Sequence, residues 1–114
     1  MTPTWGDYVA DIAAAIHEIE VFIGGMTRDT FVRDRKTVNA VIRSLEVMGE
    51  AAKRIPEDLR VVHPDIPWKR MAGMRDKLIH EYAGVDLDTV WIVLTEELPP
   101  LKPLIERLAK TLAS

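Results

Sequence analysis

The stretch VNAVIRSLEVMGEAAKRIP, residues 38–56, decides the fold of this 114-residue chain. Its apolar residues recur every three or four positions, which is the spacing of one face of an α-helix, and Pro56 ends the run. This stripe comprises Val38, Val41, Leu45, Met48, Ala52 and Ile55. Further apolar or small residues lie beside the stripe, at Ala40, Ile42, Val47 and Ala51. One packed face of a small bundle needs less apolar surface than this, so we predict a helix of about five turns that also meets a helix of another subunit.

The same rhythm occurs on both sides of this helix. Before it, an apolar stripe predicts a helix from about Asp7 to Phe22, which Gly24 and Gly25 end. After it, residues 56–67 contain three prolines and predict a connector with at most one turn of helix. Pro67 then suits the first turn of a helix over Trp68–Glu81.

A last apolar stripe runs from Leu87 to Leu112 and stays in phase through Pro99-Pro100 and Pro103. Proline removes a helical hydrogen bond and crowds the preceding turn. We predict a long helix kinked at Pro99-Pro100, or two nearly collinear helices. The sequence shows no alternating strand pattern and no repeat, so the fold class is all-α: one domain, residues 1–114, forming a bundle of four to five helices.

The composition excludes several kinds of site. A chain of this length forms one domain, and it contains no cysteine, which excludes disulfides and thiolate sites. His17, His63 and His80 are far apart and show no metal-ligand spacing, so we expect no metal site and no cofactor. No segment is long and apolar enough to span a membrane, and we expect a cytoplasmic protein.

The charge is unevenly distributed, although the net charge is only −3. Residues 26–80 carry twelve bases and eight acids, whereas residues 1–25 carry four acids and no base, and residues 81–114 carry three bases and six acids. The bases of the middle segment include Arg28, Arg33, Arg35, Lys36, Arg43, Lys69, Arg70, Arg75 and Lys77. Any single one of them has the ordinary role of solvating a helix face, but as a group they favour an anion site.

The side chains best suited to catalysis lie in MRDKLIHEY, residues 74–82. Here Arg75, His80 and Tyr82 follow an R-x4-H-x-Y spacing. Arg75 is a permanent cation suited to phosphate, and a histidine transfers protons near neutral pH. On an ideal helix His80 lies about 140° around the axis from Arg75, whereas Asp76 shares the face of His80 and could orient its imidazole. Because Arg75 and His80 do not converge on one face, a complete site is easier to build between two copies, which predicts a homodimer or a larger oligomer.

This motif resembles the signature of the HEPN superfamily, and in particular of HepT-like toxins, which carry a polar residue after the arginine, here Asp76. Residues 40–53 resemble the second helix of that family, residues 66–68 its entry to the motif helix, and residues 84–86 and 90–91 its continuation. Several such blocks in the same order are more specific than R-x4-H alone.

The resemblance implies a metal-independent endoribonuclease toxin of a type VII-like toxin–antitoxin pair. Its catalytic residues would be Arg75 and His80, its supporting residue Asp76, and its substrate an RNA such as tRNA or mRNA. Its partner would be a nucleotidyltransferase antitoxin of the MNT type, which silences the toxin by AMPylation of the motif tyrosine, Tyr82 here.

Two alternatives stay open from the sequence. Arg75 could instead form an ordinary ion pair with Asp76, Glu81 or Glu46. The chain could also be a non-catalytic dimeric helical module that binds a nucleotide, an RNA or a nucleotidyltransferase without cutting RNA.

Overall fold

The computed structural model describes residues 4–80 and 86–113, without the side chains of residues 78–80 and 113. These residues form seven α-helices and one π-helical turn. The elements are α1 (Trp5–Ile23), α2 (Arg28–Arg33), α3 (Arg35–Lys53), α4 (Glu57–Val62), α5 (Trp68–His80), α6 (Leu87–Ile92), a π-helical turn (Val93–Glu97) and α7 (Leu98–Ala113).

The predicted all-α bundle is confirmed. Four long helical segments build it, namely α1, α3, α5 and the run from α6 to α7. The connector contains α4, whose six residues make it longer than the one turn that was predicted there. The short helix α2 was not predicted. It begins with a capping box in which the Thr27 side chain accepts from the backbone N–H of Thr30, and the Thr30 hydroxyl accepts from the backbone N–H of Thr27. This helix is defined by its cap and carries no apolar stripe, since only Phe31 of α2 is buried. The apolar pattern of the sequence therefore did not indicate it.

The irregularity in the last helical run lies slightly earlier than predicted. The π-helical turn Val93–Glu97 precedes Pro99 and Pro100, and the backbone N–H of Leu98 bonds to the carbonyl oxygen of Val93. Proline has no N–H to donate, and the first turn of a helix is where that loss matters least. The two prolines accordingly lie in the first turn of α7, which begins at Leu98.

α3 is the central helix of the bundle. It packs against α1 and against α5, and α7 packs against α1. Ile42 and Ala51, which we expected to face another subunit, are therefore buried within the chain, at 3% and 4% exposure. For these two residues the expectation was wrong, because a helix packed between two neighbours needs apolar residues on more than one face. Ala40 and Val47 are half-buried, and for them it stays a prediction.

The end of α3 is fixed by the connector that follows it. Arg60 of α4 donates from Nε to the carbonyl oxygen of Ile55 and from one terminal nitrogen to those of Ala52 and Lys53, at 2.8–3.0 Å. The last carbonyls of a helix have no partner within the helix, so a charged donor there satisfies them. Arg60 therefore holds the backbone of the last turn of α3 against α4.

α5 is held at its start and is very close to α3 further along. The indole nitrogen of Trp68 donates to the carbonyl oxygen of His63 at 3.1 Å, and both Trp68 and Met71 are buried. One turn later, a Cβ atom at Gly49 of α3 would lie 2.2 Å from Cβ of Arg75 and 2.7 Å from the carbonyl oxygen of Met71. Only a residue without a side chain fits at this crossing.

We expect Gly49→Ala to lower the free energy of unfolding by about 1–3 kcal/mol, because the added methyl group forces α3 and α5 apart. The control is Gly73→Ala, at a helical glycine of α5 where an added Cβ meets nothing within 4 Å. It should raise the free energy of unfolding by about 0.5–1 kcal/mol. Urea denaturation measures both changes, and equal stability of the two variants would contradict the close crossing.

Candidate functional site

Arg75 lies on α5 directly opposite Gly49 of α3. Its side chain is 25% exposed, and its Nε atom is buried and has no hydrogen-bond partner in the described part of the chain. One terminal nitrogen donates to Oδ1 of Asp76 at 3.0 Å. The stem of Arg75 is thus enclosed at the helix crossing while part of the side chain reaches the surface.

Asp76 connects Arg75 to α3. Its Oδ1 atom accepts from Arg75 and also from Nζ of Lys53, at 2.9 Å. Two hydrogen bonds hold the pKa of Asp76 below its ordinary value. The bond from Lys53 has the larger effect and the bond from Arg75 the smaller. The ordinary ion pair between Arg75 and Asp76 that the sequence allowed is therefore present, and it is shared with a second cation.

His80 is the last residue of α5, so Arg75 and His80 belong to one helix, as predicted. The His80 side chain, Tyr82 and the predicted end of the motif helix near Gly84 lie outside the described parts of the structure. The structure thus brings Arg75 and Asp76 into contact, but it does not test the contact of Asp76 with the His80 imidazole, which stays a prediction.

The basic residues of the middle segment are partly compensated by acids. Arg28 pairs with Asp29 and Asp88, and Arg70 pairs with Glu97 at 2.5 Å. Arg75 is itself paired with Asp76, so three of the nine bases have an acidic partner among the described residues.

Surface depressions do not by themselves identify the site. A groove of about 480 Å³ lies at the start of α5, beside Lys69 and Arg70, and Arg75 is not among its described lining residues. A cavity of about 80 Å³ lies beside Lys77 and Asp86. Neither volume includes Arg75 among its described lining residues, so the site is assigned from the chemistry and position of Arg75 and not from a cavity.

Within 4–80 and 86–113, no group of three or more histidine, aspartate and glutamate side chains could hold a metal ion. None of the helices in these ranges is long and apolar enough to cross a membrane.

Sequence reasoning did not assign a role to two residues that build this site. These residues are Lys53 and Gly49, which both belong to the stretch 38–56. The contact between Lys53 and Asp76 spans 23 positions of the chain, so no local spacing indicates it. A glycine in the middle of a strongly periodic helix was the available signal for Gly49, because it weakens the helix unless another chain segment approaches closely.

Comparisons with known proteins agree on one family. Residues 12–108 match the family model described as "Ribonuclease HepT-like". A protein of Thermococcus cleftensis named as a probable ribonuclease HepT is 51% identical over 104 residues, which cover 91% of this chain and 94% of that protein. A protein of Methanocaldococcus jannaschii whose name gives it as a candidate RNase is 45% identical over 105 residues, covering 92% of this chain and 90% of that protein. No solved structure gives a significant match.

We expect Lys53→Met to raise the pKa of Asp76 toward its ordinary value, because the substitution removes the largest cause of the lowered pKa. The matched control is Lys102→Met, which removes another lysine–carboxylate pair between helices, that of Lys102 with Glu20 at 2.8 Å. Carbon-13 NMR titration of the Asp76 carboxyl group measures the shift. An unchanged pKa in Lys53→Met would contradict the contact.

The lowered pKa of Asp76 also predicts a dependence of stability on pH. The ionised carboxylate stabilises the folded state, fully so at pH values above the ordinary pKa of about 3.9, and this contribution is lost as the pH falls through the lower, folded-state pKa. The melting temperature of the wild type should therefore exceed that of Asp76→Asn at neutral pH, and the difference should disappear in strong acid. A constant difference over the whole range would contradict the assignment.

Proposed function

The chain belongs to the ribonuclease HepT-like family, and from this premise we propose that it is a metal-independent endoribonuclease with Arg75 and His80 as its catalytic pair. The observation that carries this proposal is the position of Arg75, whose stem is enclosed at the crossing of α3 and α5 while its side chain stays 25% exposed. An arginine held in this way presents a preoriented cation to a phosphate.

In the proposed reaction, the 2′-oxygen of the RNA attacks the adjacent phosphorus while the bond from phosphorus to the 5′-oxygen breaks. The His80 imidazole accepts the proton of the 2′-hydroxyl group. Arg75 stabilises the negative charge that develops on the nonbridging oxygens. The departing 5′-oxygen takes a proton, for which the imidazolium formed in the first step is a donor. The products carry a 2′,3′-cyclic phosphate and a 5′-hydroxyl group.

We propose that the active form is a homodimer or a larger oligomer. Arg75 and His80 point about 140° apart on an ideal helix, so one copy presents only part of a site. The apolar surplus of α3 gives less support than the sequence suggested, because Ile42 and Ala51 are buried within the chain.

The biological role that we propose is that of the toxin in a type VII-like toxin–antitoxin pair acting in the cytoplasm. Its antitoxin would be an MNT-type nucleotidyltransferase that transfers AMP to the hydroxyl group of Tyr82. Tyr82 is two residues from His80, so a bulky anion attached there would obstruct the site and repel an incoming phosphate. Inhibition would then follow without refolding.

The second candidate is a non-catalytic module that binds a nucleotide, an RNA or a nucleotidyltransferase. The ion pair of Arg75 with Asp76 favours it, because such a pair is also an ordinary structural contact. Cleavage assays distinguish the two candidates, since a binding module retains RNA without cutting it.

Purified wild-type protein should cleave total RNA and a tRNA pool in EDTA and leave cyclic-phosphate ends. Arg75→Ala and His80→Ala should each lower the cleavage rate by about 10²-fold or more, since each removes a group that acts in the transition state. End-specific labelling of the fragments measures both the rate and the chemistry.

The matched controls are Arg107→Ala and His17→Ala, which remove an exposed arginine of α7 and an exposed histidine of α1. Both should cleave like the wild type. Retention of RNA by the wild type without any cleavage would overturn the ribonuclease proposal in favour of the binding module.

Tyr82→Phe should cleave RNA but resist neutralisation by the nucleotidyltransferase, because only the hydroxyl group that receives AMP is lost. Mass spectrometry after incubation with ATP and the nucleotidyltransferase should show added AMP on the wild type and none on the variant. Tyr8→Phe on α1 is the control and should be modified normally. Equal modification of wild type and Tyr82→Phe would exclude Tyr82 as the acceptor.

A further inference from the structure

The contacts of Asp76 give Lys53 a place in the site that neither the motif nor the family match assigns. Nζ of Lys53 lies 2.9 Å from Oδ1 of Asp76, and one terminal nitrogen of Arg75 lies 3.0 Å from the same oxygen atom. A single carboxylate oxygen thus accepts from two cations on two different helices. The position of that oxygen is therefore constrained by Lys53 as well as by Arg75.

The position of Lys53 on α3 suits this contact. It lies four residues after Gly49 and on the same face of α3, and at Gly49 an added Cβ would be 2.2 Å from Cβ of Arg75 on α5. Glu50, one turn before Lys53, is paired with Arg54 at 3.3 Å. Arg60 also bonds to the backbone carbonyl of Lys53, which fixes where its side chain starts.

The shared contact changes the charge that Arg75 presents. Without Lys53, the one negative charge of Asp76 would offset the one positive charge of Arg75. With Lys53 the three side chains carry two positive charges and one negative charge, which leaves a net charge of +1. Within the described residues, the guanidinium makes its hydrogen bond only to this shared oxygen. Lys53 therefore shares with Arg75 the one negative charge of Asp76.

We infer that Lys53 is a positioning residue, which restrains Asp76 so that the carboxylate orients the Arg75 guanidinium without neutralising it for an RNA phosphate. This inference rests on the proposed ribonuclease function. It assigns no contact with RNA to Lys53, which acts through Asp76 on Arg75.

The test is a double-mutant cycle with the RNA-cleavage assay. Lys53→Met should lower kcat/KM for an unfractionated tRNA pool by about tenfold or more, because Asp76 then competes with the phosphate for Arg75. Lys53→Arg restores a cationic donor and should recover most of the activity. In an Asp76→Ala background, adding Lys53→Met should cause no further loss. Lys102→Met is the control and should cleave like the wild type.

An equal loss from Lys53→Met in both backgrounds, mainly through a higher KM and with a weaker dependence on salt, would overturn the inference. That result would mean that Lys53 contacts the RNA phosphates directly. Unchanged activity of Lys53→Met in the otherwise wild-type chain would overturn it as well.

A second measurement does not depend on cleavage. The NMR resonance of the Arg75 Nε–H group, assigned with Arg75→Lys, reports the surroundings of the guanidinium. It should shift in Lys53→Met, stay in place in Lys102→Met, and not respond to Lys53→Met once Asp76 is alanine. A response that is independent of Asp76, or no response, would overturn the positioning role even if the wild-type protein cuts no RNA. Absence of wild-type cleavage would by itself overturn only the ribonuclease proposal.

Discussion

The distance between α3 and α5 at Gly49 determines where Arg75 lies. A single added carbon at Gly49 would be 2.2 Å from Cβ of Arg75, far inside van der Waals contact. Trp68 and Met71 hold the first turn of α5 in the core, so the helix cannot move away from α3 without losing buried apolar surface. The motif arginine is therefore positioned by backbone packing before any electrostatic contact acts on it.

Contacts between charged side chains then add to the positioning of Arg75 that the packing provides. Asp76 accepts hydrogen bonds from Arg75 on its own helix and from Lys53 on α3, and these contacts hold its pKa below the ordinary range. A carboxylate beside a catalytic arginine normally opposes the binding of a phosphate. Sharing that carboxylate with a second cation combines orientation of the guanidinium with a remaining positive charge. In the proposed site, the acid next to Arg75 therefore does not cancel the attraction for an RNA phosphate.

Periodicity and proline positions were sufficient for the fold class and for the helix that carries the motif, which begins at Trp68 as Pro67 indicated. The short helix capped by Thr27 was missed because hydrogen bonds at its start define it, and these leave little trace in the apolar pattern. The role of Ile42 was misjudged because a sequence does not show how many neighbours a helix has. The contact of Lys53 with Asp76 was invisible for a related reason, since it arises only when two helices are brought together.

The hydrogen bonds from Arg60 to the end of α3 have a consequence for how this chain can diverge. Connectors between helices usually tolerate insertions, because their backbone faces solvent and can lengthen outward. Here the guanidinium of Arg60 donates hydrogen bonds of 2.8–3.0 Å to carbonyl oxygens at the end of α3, the helix that carries Lys53. A change in the length of the segment between α3 and α4 would therefore be transmitted to the lysine and from there to the acid and the arginine on α5. Variation in loop length should consequently be found elsewhere in relatives that keep this arrangement.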